Sequence, residues 1–175
     1  MSENTLLVPG LHNSGPEHWQ SHWHQRFPHW RRVTEQRWSE PDLVSWSDKV
    51  AQHLAAASDK IHLVAHSFGT LASIAAARRH ADKVASLLIV APADPANFQI
   101  PDELLAGALP FPALLVASDN DPWMSHERAH YWSRLWQVPL FEAGAAGHIN
   151  ADSGHGAWPE GLELCLQLHA RATAG

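Results

Sequence analysis

The sequence is short of several features that mark whole classes of protein. It holds one cysteine, Cys165, in 175 residues, so no internal disulfide can form, and a reducing compartment, the cytoplasm, is expected. Lys and Arg form no block longer than the pairs Arg31-Arg32 and Arg78-Arg79, and the net charge is −6, so a phosphate backbone finds little to grip and no nucleic-acid partner is expected. The first ten residues carry Glu3, no Lys or Arg, and an apolar run of only Leu6 to Val8, too short for a signal peptide or a membrane span. Repeats, low-complexity tracts and flexible linkers are also missing, and the length predicts a single domain over residues 1–175.

What is present is a regular alternation. Short apolar runs predict strands at Thr5 to Val8, Arg32 to Glu35, Ile61 to Ala65, Ser86 to Ala91, Ala113 to Ala117 and Pro139 to Phe141. Between them lie predicted helices at Glu17 to Arg26, Leu43 to Ala57, Phe68 to His80, His126 to Trp136 and Pro159 to Ala172. Strand and helix in turn predict an α/β fold: a three-layer αβα sandwich with a mostly parallel sheet covered on both faces. The proline-rich stretch from Pro92 to Pro112 is too short for a separate cap domain and reads as a crossover with one helical turn.

One strand-to-helix junction carries chemistry. In I-H-L-V-A-H-S-F-G-T-L-A-S-I-A-A-A an apolar strand meets a small-residue helix at a sharp turn tipped by Ser67, the context of a nucleophile elbow. A serine hydroxyl attacks only when a base takes its proton, so it must project from the sheet's carboxyl edge within reach of a histidine. The helix starting at Phe68 aims free N–H groups at the same place, making the Phe68 amide an oxyanion donor. Ala65 stands where the usual elbow has glycine, and helix capping by Ser67 is the plainer alternative.

Partners follow in the expected chain order, each after a strand. S-D-N-D-P-W after Ala117 offers Asp121, stiffened by Pro122, in preference to Asp119; A-G-A-A-G-H-I-N offers His148, freed by its glycines, in preference to His155. The loop P-G-L-H-N-S-G-P after the first strand supplies a second oxyanion donor, Leu11, with Asn13 behind it.

Four blocks carry a resemblance: V-P-G-L-H-N-S-G-P-E-H-W-Q-S-H-W, V-A-H-S-F-G, S-D-N-D-P-W and A-G-H-I-N-A-D-S-G-H-G-A-W-P-E-G. They resemble the family of small serine hydrolases that includes retinoblastoma-binding protein 9 and the bacterial YdeN-like proteins. That resemblance implies a compact α/β-hydrolase fold without a large cap, esterase or peptidase activity, and a Ser67, Asp121, His148 triad. The L-x-C-x-E segment associated with the retinoblastoma-binding member does not carry over, because Glu163 and Gln167 flank Cys165 where leucine and glutamate should stand.

The expected function is hydrolysis of a small ester, or secondarily an amide, through an acyl-Ser67 intermediate without metal or organic cofactor. The alternatives are a serine aminopeptidase and an idle hydrolase scaffold used for protein interaction. His18, His22 and His24 have zinc-like spacing, but the glutamate of H-E-x-x-H is missing, and no metal is expected there. Among the nine tryptophans, Trp19, Trp123 and Trp158 stand on or beside the converging loops and are candidates for a substrate pocket with Asn13, while Trp30, Trp38, Trp46, Trp132 and Trp136 are assigned to the core. Cys165 is expected to be buried and inert.

Overall fold

Each central strand splits its side chains between two cores. In the computed structural model, which describes residues 4–174, β1 (Thr5–Val8), β3 (Ile61–His66), β4 (Val84–Val90) and β5 (Ala113–Ala117) send Leu6, Val8, Leu63, Ala65, Leu87, Ile89 and Leu115 to one face. Leu7, Val64, Leu88, Val90, Leu114 and Val116 go to the other. Successive strand residues point to opposite faces, so a strand apolar throughout needs a helical layer on both sides.

The helices supply those layers. α2 (Leu43–Ala56), α3 (Phe68–Arg79) and α4 (His126–Trp136) build the first core, while α1 (Trp19–Arg26) and α5 (Pro159–Ala174) build the second. Trp19, Trp23 and Trp30 are fully buried on the α1/α5 side, Trp132 and Trp136 on the other. A tryptophan that loses about 200 Å² to the interior gains roughly 5 kcal/mol before entropy is counted. Trp38 is only half-buried and meets Trp46 edge-on at 5.7 Å.

With β2 (Arg31–Arg32) and β6 (Leu140–Glu142) at the edges, the six strands run parallel in the order β2-β1-β3-β4-β5-β6. The chain leaves β1 in one direction to make β2 and returns past it to β3. That reversal opens a crevice between the loops that follow β1 and β3, the place where open α/β sheets bind ligands.

Some boundaries differ from expectation. β2 stops at Arg32 because the chain turns away after Val33 N–H reaches Leu7 O. α1 starts at Trp19, since His18 is its cap: His18 Nδ1 accepts the Gln20 N–H at 3.1 Å. The Pro92–Pro112 crossover forms two 3-10 turns, Pro95–Phe98 and Asp102–Leu104, rather than one. Arg128 on α4 holds both, taking Asp94 and Asp102 at 2.8–2.9 Å, and this forked pairing raises the pKa of an already basic guanidinium further. Among the described residues no helix is long and apolar enough to cross a membrane.

Candidate active site

The turn from β3 to α3 is backbone-strained. Ser67 has φ 56° and ψ −126°, a left-handed conformation unusual for a residue with a side chain. The turn is held from several sides: Ser67 N–H donates to Val90 O, while Thr70 N–H and Thr70 Oγ1 both donate to Ser67 O, at 3.1, 3.0 and 2.7 Å. Two glycines make room. A Cβ on Gly69 would stand 2.6 Å from Val8 O, and one on Gly10 would stand 2.8 Å from Ser67 Cβ, so both loops can close only without side chains there. Ala65, in place of the usual glycine, tucks its methyl group into the first core at 0% exposure.

Two further loops converge on this turn because they are tied to each other. Asp119 N–H donates to Gly144 O, Ala146 N–H to Ser118 Oγ, and Gly147 N–H to Asn120 Oδ1, at 2.9, 3.0 and 2.7 Å. Asp121 and His148 project from the paired loops. His148 Nδ1 lies 2.9 and 3.0 Å from the two Asp121 oxygens, and its Nε2 lies 2.8 Å from Ser67 Oγ. Trp123 N–H donates to Asp121 Oδ1 at 2.9 Å and fixes the carboxylate from the other side. With a carboxylate accepting at Nδ1, that nitrogen carries the ring's hydrogen, and the lone pair on Nε2 faces the serine.

The competing residues lie elsewhere. Asp119 is exposed, and His155 Nδ1 is engaged with Ser153 Oγ at 2.8 Å.

The histidine loop is pinned from below by two residues that sequence reasoning assigned otherwise or missed. Ile149, a β-branched residue at φ 48°, is held by Trp19 Nε1 donating to its carbonyl at 2.9 Å. His66, directly before the serine, donates from Nε2 to the His148 carbonyl at 2.9 Å. Burial, with His18 and His148 beside it, depresses His66 far below the usual imidazole range and keeps it neutral. His18 is driven down to about 3 by burial and by Arg32; its Nδ1 accepts, so its Nε2 carries the hydrogen, buried and without a partner. The residue before Ser67 was the one available sequence signal for this support.

A cleft of about 300 Å³ opens above Ser67 and His148. Leu11, Phe98 and Trp123 give it an apolar wall; His12, Asn13, Asn150 and Asp152 give it a polar one. Trp123 is 44% exposed and lies parallel to Phe98 at 6.4 Å. Asn13 spends its Oδ1 on Arg32 and on the Ser14 N–H. The expectation that Trp19 and Trp158 share this wall is corrected: Trp19 is 0% exposed in the second core, and Trp158 is stacked on Trp23 at 5.8 Å, neither lining the cleft. Their indoles went inward because α1 and α5 need an apolar seam between them. His18 spends its Nδ1 lone pair on the cap of α1, and His22 Nε2 lies 3.9 Å from the Glu17 carboxylate.

Known proteins agree with this architecture. Residues 5–167 match the family described as serine hydrolase. A YdeN-like hydrolase from Pectobacterium atrosepticum is 41% identical with a TM-score of 0.92, over 97% of this chain and 91% of that one. The ydeN gene product of B. subtilis, at 17% identity and TM-score 0.75 over 97% and 100%, shares the fold. So does Est1E from Butyrivibrio proteoclasticus, solved with ferulic acid bound, at 14% and 0.72 over 99% and 92%. No curated protein sequence matches. The match across nearly the whole chain and the 41% relative place this α/β-hydrolase-fold chain in the serine hydrolase family.

Proposed function

We propose that the chain is a serine esterase acting on small esters, with Ser67 as nucleophile, His148 as general base and acid, and Asp121 holding the imidazole. The observation that carries this reading is the continuous relay from the Asp121 oxygens through Nδ1 and Nε2 of His148 to Ser67 Oγ, every link at 2.8–3.0 Å. Ser67 Oγ attacks the ester carbonyl as His148 takes its proton. The resulting oxyanion is met by the amide of Phe68, a first-turn N–H without an intrahelical partner, and by that of Leu11 beside Gly10. Collapse expels the alcohol with the proton from His148, leaving acyl-Ser67. Water, deprotonated by the same imidazole, then attacks the acyl carbon and releases the acid.

The size of the cleft supports a small substrate, since about 300 Å³ is at the lower limit for ligand sites. Leu11, Phe98 and Trp123 suit a short or flat acyl group. No metal or organic cofactor takes part in any step. Cys165, buried with its thiol acidity pushed down, sits well with a cytoplasmic enzyme and takes no part in the chemistry. The Asp152 carboxylate at the rim favours a second reading, aminoacyl esters or amides whose free amine it would pair with.

A fluorophosphonate probe tests the mechanism and a substrate panel tests its range. The folded wild type is expected to label and Ser67→Ala is not; turnover should fall by about 10⁵- to 10⁶-fold in that variant. Among p-nitrophenyl esters kcat/KM should peak at short acyl chains. Absent labelling would instead favour the scaffold reading, labelling that survives Ser67→Ala would overturn Ser67 as the nucleophile, and faster cleavage of aminoacyl amides would favour the peptidase.

A further inference from the structure

Outside the cleft, three metal-ligating side chains converge. His126 is the first residue of α4, His130 stands one turn further on, and Glu142 is the last residue of the edge strand β6. His126 Nε2 and His130 Nε2 are 3.2 Å apart, and each lies close to the same oxygen, Glu142 Oε1, at 2.8 and 3.0 Å.

Hydrogen bonds can satisfy at most two edges of that triangle at once. A neutral imidazole has one N–H. If both Nε2 atoms carry hydrogen toward Glu142, two donors face each other across 3.2 Å. If one histidine accepts from the other, its lone pair faces the carboxylate oxygen instead. Protonating both rings sets two cationic N–H groups against each other. Every assignment leaves one edge repulsive, whereas a cation at the centre draws on all three lone pairs at once.

The dimensions suit such a cation. Four-coordinate zinc with bonds near 2.0–2.1 Å separates its ligand atoms by about 3.3 Å. The three edges of 2.8, 3.0 and 3.2 Å fall slightly short, a gap that small rotations of exposed side chains close. Side-chain exposures of 44%, 41% and 57% allow entry from solvent and leave a fourth position for water. Two imidazoles with one carboxylate are donors for zinc and its first-row neighbours rather than for magnesium or calcium.

We propose that His126, His130 and Glu142 form a binding site for a divalent transition cation of the zinc class, clipping α4 to β6. The clip joins the helix that follows the Asp121 loop to the strand that precedes the His148 loop. It is a structural site and supplies no group to the Ser67 chemistry.

Calorimetric titration of the metal-freed full chain with Zn²⁺ tests it, together with the visible spectrum of the Co²⁺ form and thermal unfolding. One equivalent should bind tightly, in the micromolar range or below, with tetrahedral cobalt bands and a raised Tm. His126→Ala, His130→Ala and Glu142→Gln should each weaken binding at least tenfold and abolish the cobalt bands, while their metal-free Tm values stay near wild type because all three side chains are exposed. Absence of micromolar binding in the wild type would overturn the site. So would affinity that survives any one of the three substitutions, which would put the metal on other histidines of the fourteen.

Discussion

Ser67, His148 and Asp121 meet as three side chains, and so do His126, His130 and Glu142, yet the two groups differ in what each atom is asked to do. In the first, every donor faces an acceptor, and the side chains of His148 and Asp121 are only 12% and 2% exposed. In the second, three acceptors crowd one point in the open, at 44%, 41% and 57%. Burial sharpens the first group, because water does not compete for its polar atoms and a misdirected proton there has nowhere to go. Exposure makes the second tolerant, fit to capture an ion and unable to hold an imidazole in one orientation.

The largest effect expected from this contrast falls on Asp121. In Asp121→Asn the amide nitrogen can replace an acceptor with a donor opposite His148 Nδ1, turning the imidazole to the tautomer whose Nε2 bears hydrogen. We expect kcat on p-nitrophenyl acetate to drop by about 10⁴-fold with little change in KM. A drop below tenfold would mean that burial of the carboxylate matters little. Next comes Gly10→Ala. Its methyl would stand 2.8 Å from Ser67 Cβ and 3.0 Å from His66 O, forcing the loop after β1 away from Ser67. Turnover should fall by about 100-fold, since displacements near 1 Å cost that much, and overpacking should lower Tm by about 5 °C.

Buried histidines away from the cleft give the contrast a pH signature. His62 and His169 stack at 4.0 Å beneath the sheet, and burial lowers their pKa values from the ordinary 6.5 to about 4 and about 3. Between pH 6.5 and about 4 the unfolded chain therefore binds more protons than the folded one, so stability falls as pH falls through that window. At pH 5 each such group costs about 2 kcal/mol. Thermal unfolding at pH 7 and pH 5 should show the loss, and His62→Gln should flatten the slope by about a quarter, since burial holds His18, His66 and His169 low as well.

The frame of the site was legible because it rests on local signals. Gly69 and the small residues of α3 announce an elbow at Ser67, and the loops bearing Asp121 and His148 follow apolar strands that the structure contains. What sequence could not give was the direction of individual rings. Trp19, expected to stand by the converging loops and wall a pocket, instead meets the His148 loop from the core side, through Ile149 O. Histidine spacing alone was equally uninformative. His18 and His22 share the four-residue interval of His126 and His130, yet among the described residues a third donor arrives only at the second pair, because β6 ends beside α4 and nothing in either local stretch says so.

His66 offers the finest probe of how burial holds the site. Its Nε2–H donates to the His148 carbonyl at 2.9 Å, and its ring is 4.8 Å from that of His148, so it touches the backbone of the proposed base and not the atoms proposed to react. It is a positioning residue. Phenylalanine there keeps the packing but removes the donor, leaving a carbonyl unpaired at a partly buried point, and His148 can then drift from Ser67. His66→Phe should lower kcat by about tenfold with KM nearly unchanged, the size expected for a small loss of alignment. His66→Gln returns an N–H at similar reach and should recover most of the loss. Were the side chain there only to fill space, phenylalanine would serve as well as histidine and glutamine would be the worse replacement, so the order of the two variants in kcat decides between the roles.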